Sequence, residues 1–130
     1  MREFQRHTTQ WGMGKNFDRT GGFGPWMVTA DEVPPGGRGL KIASRLNGKT
    51  MQSDNTDNMM FPLAETLVYL TKGMTLEPGD VILTGTPSGV GVFRDPPVFL
   101  EPGDRVRCEI EGIGRVENPV VDWSEDPRPA

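Results

Sequence analysis

Apolar residues recur along this chain with two different periods. Met60, Leu63, Ala64, Leu67 and Val68 fall at i, i+3, i+4, i+7 and i+8, one face of a helix. The polar run at 53–58, S-D-N-T-D-N, offers capping side chains just before it. Pro62 is tolerable there only in the first turn, where its missing N–H bonds nothing. Gly73 suits the position just past the helix, and Lys72 suits the negative end of its dipole. The pattern predicts one main helix near 61–72, with its Met and Leu stripe in the core.

The other period is two. Residues 105–110, R-V-R-C-E-I, alternate cleanly, so Val106, Cys108 and Ile110 are expected to face in and Arg105, Arg107 and Glu109 out. Cys108 is then a buried, inert thiol. Residues 115–121 return after Gly112 and Gly114. Residues 25–33 read as a strand through Trp26, Val28 and Ala30, ended by Pro34-Pro35-Gly36-Gly37. Residues 40–46 alternate in part and run into Asn47-Gly48, a pair suited to a type I′ turn because both central positions need positive φ. Residues 49–52 would be the return strand. The string L-E-P-G-D occurs at 76–80 and again at 100–104; its Pro-Gly suits a type II turn, and each copy should open a strand, at 81–84 and at 105–110. The class is α+β and β-rich.

Composition narrows the partners. The chain has 130 residues, 25% charged and 35% hydrophobic, so a folded domain is expected rather than a disordered one. A domain of this size buries roughly two-thirds of its unfolded surface. Net charge is −4 with no block of like charges, which argues against nucleic acid and against a polybasic membrane patch. No apolar run reaches membrane-spanning length and no signal peptide opens the chain, so a cytoplasmic location is expected. A single cysteine excludes an internal disulfide and a multi-cysteine zinc site. His7 is the lone histidine, and a surface or hydrogen-bonded role suits it better than metal binding.

Three stretches carry candidate chemistry. Residues 14–25, G-K-N-F-D-R-T-G-G-F-G-P, hold Lys15 among four glycines, where the backbone can approach a ligand closely. This is not a phosphate-binding P-loop: Thr9 stands where that motif needs glycine, and Asn16 where it needs Ser or Thr. On composition alone, Lys15 reads as a solvated surface lysine. Residues 84–91, T-G-T-P-S-G-V-G, can present backbone N–H groups and hydroxyls to an oxyanion, although an ordinary loop fits as well. Glu109-Ile110-Glu111 has the spacing of a Mg²⁺-holding pair. With Arg105 and Arg107 beside it, two solvated glutamates are the better reading.

Taken together and in order, R-E-F-Q (2–5), G-K-N-F-D (14–18), G-P-W-M-V-T-A-D-E-V (24–33), N-G (47–48), M-M-F (59–61), G-M-T-L-E-P-G-D-V-I-L-T-G-T-P-S-G-V-G (73–91) and G-D-R-V-R-C-E-I-E-G-I-G (103–114) closely resemble the fumarylacetoacetate hydrolase family. The resemblance covers nearly the whole chain, and the long 73–91 string is highly specific. It implies a mixed β-roll fold over about 1–123, with a frayed tail at 124–130, and usually a homodimer. It implies an enzyme of 1,3-diketo acids and their enols: an acylpyruvate- or fumarylpyruvate-type C–C hydrolase, or a hydroxymuconate-type isomerase or decarboxylase of aromatic catabolism. It implies Mg²⁺ or Mn²⁺, held by an E-x-E pair and an Asp. By position, Arg2 and Gln5 match the segment that faces the site. Lys15 matches the lysine beside the metal-bound substrate, and Thr86 matches the threonine that contacts the substrate carboxylate. A cation near a developing enolate oxygen, and a hydroxyl holding a carboxylate that does not react, suit that chemistry.

The resemblance also implies a departure. In the family the metal-binding Asp lies four residues before the arginine matched by Arg2. The E-x-E pair and the Glu–His pair that activates water lie further upstream. All would precede Met1, so no metal ligand is assigned in this chain, and His7 inherits no role. Glu109 and Glu111 match the family's C-terminal strand instead. The sequence is therefore expected to be the C-terminal part of a larger enzyme, not binding metal by itself. The alternative is a non-catalytic fragment or assembly subunit that keeps the fold and the dimer surface.

Overall fold

The computed structural model describes residues 2–122, and of Arg2 and Glu3 the backbone alone. Its centre is a hairpin. Strands β1 (Lys41–Leu46) and β2 (Lys49–Asn55) are joined by Asn47 at φ 51° and Gly48 at φ 83°, as a type I′ turn requires. Strands β3 (Arg105–Ile110) and β4 (Gly114–Pro119) complete an antiparallel sheet of order β2-β1-β3-β4. The structure is thus α+β, and each strand pair in this sheet is antiparallel.

Register assigns the faces. Ile42, Ser44 and Leu46 lie opposite Ile110, Cys108 and Val106, so these six share one face. The other face carries charge: Arg45 pairs with Glu109 at 2.9 Å, and Arg107 and Arg105 pair with Glu117 at 2.7 and 3.4 Å. A bulge between Ser44 and Arg45 leaves Met51 as the extra residue of β2.

Both L-E-P-G-D strings fold alike. Gly79 and Gly103 take φ 104° and 94°. The amides of Asp80 and Asp104 donate to the carbonyls of Glu77 and Glu101, and each aspartate carboxylate accepts from its glutamate's amide. The second string opens β3. The first opens no strand: 81–84 has no partner among the described residues, and Leu83 is 90% exposed. An extended segment forms a strand only where a neighbour takes its N–H and C=O groups. Residues 25–33 also differ from expectation. Trp26 instead docks on the β3–β4 turn, its indole N–H donating to the Ile113 carbonyl at 2.7 Å. Its ring lies over Gly114, where an added Cβ would come within 2.8 Å of it.

The polar run 53–58 does not cap the main helix. Its first half prolongs β2, and Asn55 then caps a short turn, Thr56–Asn58, accepting from the Asp57 amide. Two helices are described: α1 (Arg2–Arg6) and α2 (Leu63–Leu70). Helix α2 is shorter than 61–72 because Pro62 stands outside it as the N-cap, at ψ 154°. Its stripe is not core. Met60, Leu67 and Val68 are exposed, because α2 packs chiefly on the turn Pro35–Gly37, where Leu63 meets Gly37.

Cys108, expected to be buried, is exposed, and Leu40 is the buried hydrophobic of the described residues. The accessible surface is 10605 Å², against about 6,800 Å² for a folded monomer of this mass and about 20,700 Å² for its unfolded chain. About half the unfolded surface is buried, not the expected two-thirds. The physical cause is layering: a sheet face and a helix stripe become core only when another layer covers them. The expected tail at 124–130 lies outside the described residues.

Candidate functional site

Two separate constructions hold the residues that the sequence singled out. The first is built on α1 and a short turn, Trp11–Lys15. Phe4 meets Phe17 edge-on at 5.0 Å and leans on His7 at 5.3 Å, which gives His7 a packing role. The Gln5 side chain lies flat on Gly14, so closely that a Cβ there would overlap its Cγ. Gly14 is buried for that reason, and its requirement is space, not a left-handed backbone. Within 14–25 the glycine at positive φ is Gly24; Gly22 makes room for Val116 and Asn118. Lys15 ends the turn and is exposed. Asn16 closes it, its Nδ2 donating to the Gly12 carbonyl at 2.6 Å. Gln5 and Lys15 are therefore brought to one junction. Arg2 opens α1, and its side chain lies outside the described part.

The second construction is the loop 84–91, latched onto β2 at the bulge. Gln52 Nε2 donates to Thr86 Oγ1 at 2.8 Å and to the Pro87 carbonyl at 2.6 Å. The Ser44 hydroxyl donates to Gln52 Oε1 at 2.8 Å. Arg94 adds a second latch, its Nε donating to the Gly89 carbonyl at 2.9 Å and its guanidinium also to the carbonyl of Met51. Gly89, at φ 98°, passes so near that an added Cβ would stand 2.5 Å from the Met51 oxygen.

Sequence reasoning missed Gln52, Ser44 and Arg94. The one local signal was a glutamine at a strand position whose cross-strand partner is Ser44, on the face that Ile42 and Leu46 share. Its meaning depends on where a loop more than thirty residues later comes to rest.

The E-x-E pair is otherwise engaged. Glu109 accepts from Arg45, and Glu111 accepts from the Lys41 amide at 3.2 Å. Among the described residues no three His, Cys, Asp or Glu side chains group as metal donors. The donor set these residues present thus does not fit the divalent metal that the resemblance implies. Partial burial pushes the Cys108 thiol above its ordinary value, although the residue as a whole is exposed. A raised thiol is the reverse of an activated nucleophile.

A family model described as fumarylacetoacetate (FAA) hydrolase C-terminal matches residues 1–121. The Bos taurus oxaloacetate tautomerase FAHD2A, mitochondrial, is 52% identical over 116 residues, 89% of this chain and 37% of that protein. The 5-carboxymethyl-2-hydroxymuconate delta-isomerase from Mycobacterium smegmatis superposes with a TM-score of 0.79 at 38% identity, covering 92% of this chain and 44% of that one. Maleylpyruvate hydrolase from Sphingobium, solved with manganese(II) and pyruvate, gives 0.65 at 37% identity over 75% of this chain and 34% of that one. The chain spans less than half the length of each of these proteins. No helix among the described residues is long and apolar enough to cross a membrane.

Proposed function

The chain belongs to the fumarylacetoacetate hydrolase family, and on that premise we propose that it supplies the acid-holding part of an enzyme of 1,3-diketo and 2-oxo acids. The reaction is C–C hydrolysis of an acylpyruvate- or fumarylpyruvate-like acid, or isomerisation or decarboxylation of a 2-hydroxymuconate-like one. Members of this family are hydrolases, isomerases and tautomerases. The observation that carries the reading is the junction of Gln5, Gly14 and Lys15: an exposed ammonium on a turn whose seat a glutamine side chain fixes. A cation so placed is preorganised to meet an enolate oxygen as its charge develops. By the family match, Thr86 is assigned as the carboxylate contact, and Arg2 and Gln5 to the segment that faces the site. The β-roll, the homodimer, a cytoplasmic location and a Mg²⁺ or Mn²⁺ ion belong to the same proposal. The vertebrate relative's name, by contrast, places that protein in mitochondria. A manganese-bound relative supports the metal, and its donors would be other than the described residues.

One observation favours a second reading, a non-catalytic fragment or assembly subunit: the large uncovered apolar surface on and around α2. Assay of this chain joined to the metal-binding half of a family member, with Mn²⁺ and against acetylpyruvate, oxaloacetate enol and 5-carboxymethyl-2-hydroxymuconate, separates the two. Turnover supports the enzyme, and Lys15→Met should then lower kcat by about 10²-fold or more with the melting temperature unchanged. No turnover of any of the three supports the subunit. An unchanged kcat with a lowered melting temperature would make Lys15 structural.

A further inference from the structure

Gln52 spends its whole amide on one loop. The Pro87 carbonyl can only accept, so the NH₂ end must face it, and the Ser44 hydroxyl donates to the oxygen end. Both amide hydrogens are then committed, one to Pro87 and one to Thr86 Oγ1. An amide N–H has no lone pair to offer, so Thr86 is the acceptor in that bond. Its own O–H remains free to donate, and an exposed hydroxyl that must donate suits an acceptor-only group.

We propose that Gln52 is a positioning residue that aims the Thr86 hydroxyl at the carboxylate of a 2-oxo acid. This rests on the assignment of Thr86 as the carboxylate contact. Without Gln52 the threonine can rotate among its staggered states and share its proton with water. The Arg94 latch is independent of Gln52, so the loop stays attached to β2 when the amide is changed.

Gln52→Glu tests this with almost no change of shape. A carboxylate cannot donate to Thr86; it would accept the threonine proton and add a repelling charge. Relative to wild type, Gln52→Glu and Thr86→Val should each raise KM for the 2-oxo acid, and Kd for pyruvate as a probe, by about tenfold or more, the loss of a hydrogen bond to a charged group. kcat should fall less than KM rises. The double variant Gln52→Leu/Thr86→Val, which adds no charge, should be little worse than Thr86→Val alone, and Gln52→Glu should raise KM for the substrate's methyl ester less than for the acid. A merely structural glutamine would lower the melting temperature and penalise acid and ester alike. Gln52→Leu alone, which removes the donors without adding charge, should raise KM for the acid less than Gln52→Glu does. Additive effects, or an unmoved KM in Gln52→Glu, would overturn the role of Gln52 while leaving the function standing. A wild-type chain, joined to the metal-binding half of a family member, that neither turns over these acids nor binds pyruvate overturns the functional reading and this role with it.

Discussion

Gly48 and Gly89 both hold positive φ, 83° and 98°, yet they answer to different constraints. Nothing lies within 4 Å of where a Gly48 side chain would start, so the turn itself sets the requirement. Gly48→Val should destabilise by about 1 kcal/mol or more, since a β-branched residue is poorly suited to φ > 0. Gly89→Ala meets the same strain plus the Met51 oxygen at 2.5 Å, which is backbone and cannot swing aside. It should therefore destabilise more than Gly48→Ala does. Urea titrations of the two alanine variants check this: equal losses would show that the loop yields and that the latch at the bulge is slack. The same comparison explains why the stretch around Lys15 was only half legible in sequence. Its glycines were visible, but Gly14 serves the Gln5 side chain and Gly22 the β4 side chains, and a space requirement leaves no local mark.

At the scale of elements, legibility followed locality. The hairpin turn and both Glu-Pro-Gly-Asp turns were readable because their chemistry lies within four residues. The alternation of β3 also gave its faces correctly. Which face would be covered was not readable, since that depends on layers contributed from elsewhere, and so Cys108 and the α2 stripe were misplaced into a core. The charged face of the sheet makes a prediction of its own. Hydrogen bonding from Arg107, then the charges of Arg107 and Arg105, hold Glu117 below the usual glutamate value. A depressed carboxylate contributes stability above its unfolded pKa and loses it as pH falls through the folded one. The ladder should weaken as pH drops below about 4.3. Asp104, held down by the Glu101 amide and Asn47, and Asp54, held down by Asn58 and the Asn55 amide, act in the same direction. Glu117→Gln should therefore flatten the acid limb of a stability–pH profile without abolishing it. Because these pairs are solvent-facing, 1 M NaCl should shrink the difference between variant and wild type at neutral pH. An acid limb unchanged in Glu117→Gln would place the titration on the aspartates alone.

For the whole molecule, the donor groups are distributed in a way that bears on metal. The acids near the Lys15 junction include Asp18, three residues after a lysine whose ammonium opposes a dication. Those of the sheet are tied down: Glu109 by Arg45, Glu117 by two arginines, and Glu111 by the Lys41 amide. A Mg²⁺ site recruits carboxylates within octahedral geometry and keeps several waters, and each tied carboxylate would first have to give up its partner. Calorimetric titration of Mg²⁺ or Mn²⁺ into the purified 130-residue chain is therefore expected to give no saturable heat below millimolar concentration. A one-to-one micromolar site would contradict this. If that site vanished in Glu109→Gln, the E-x-E of β3 would be the metal strand and the Arg45 pair its resting latch. If it survived that change, the donors would be acids other than the E-x-E of β3.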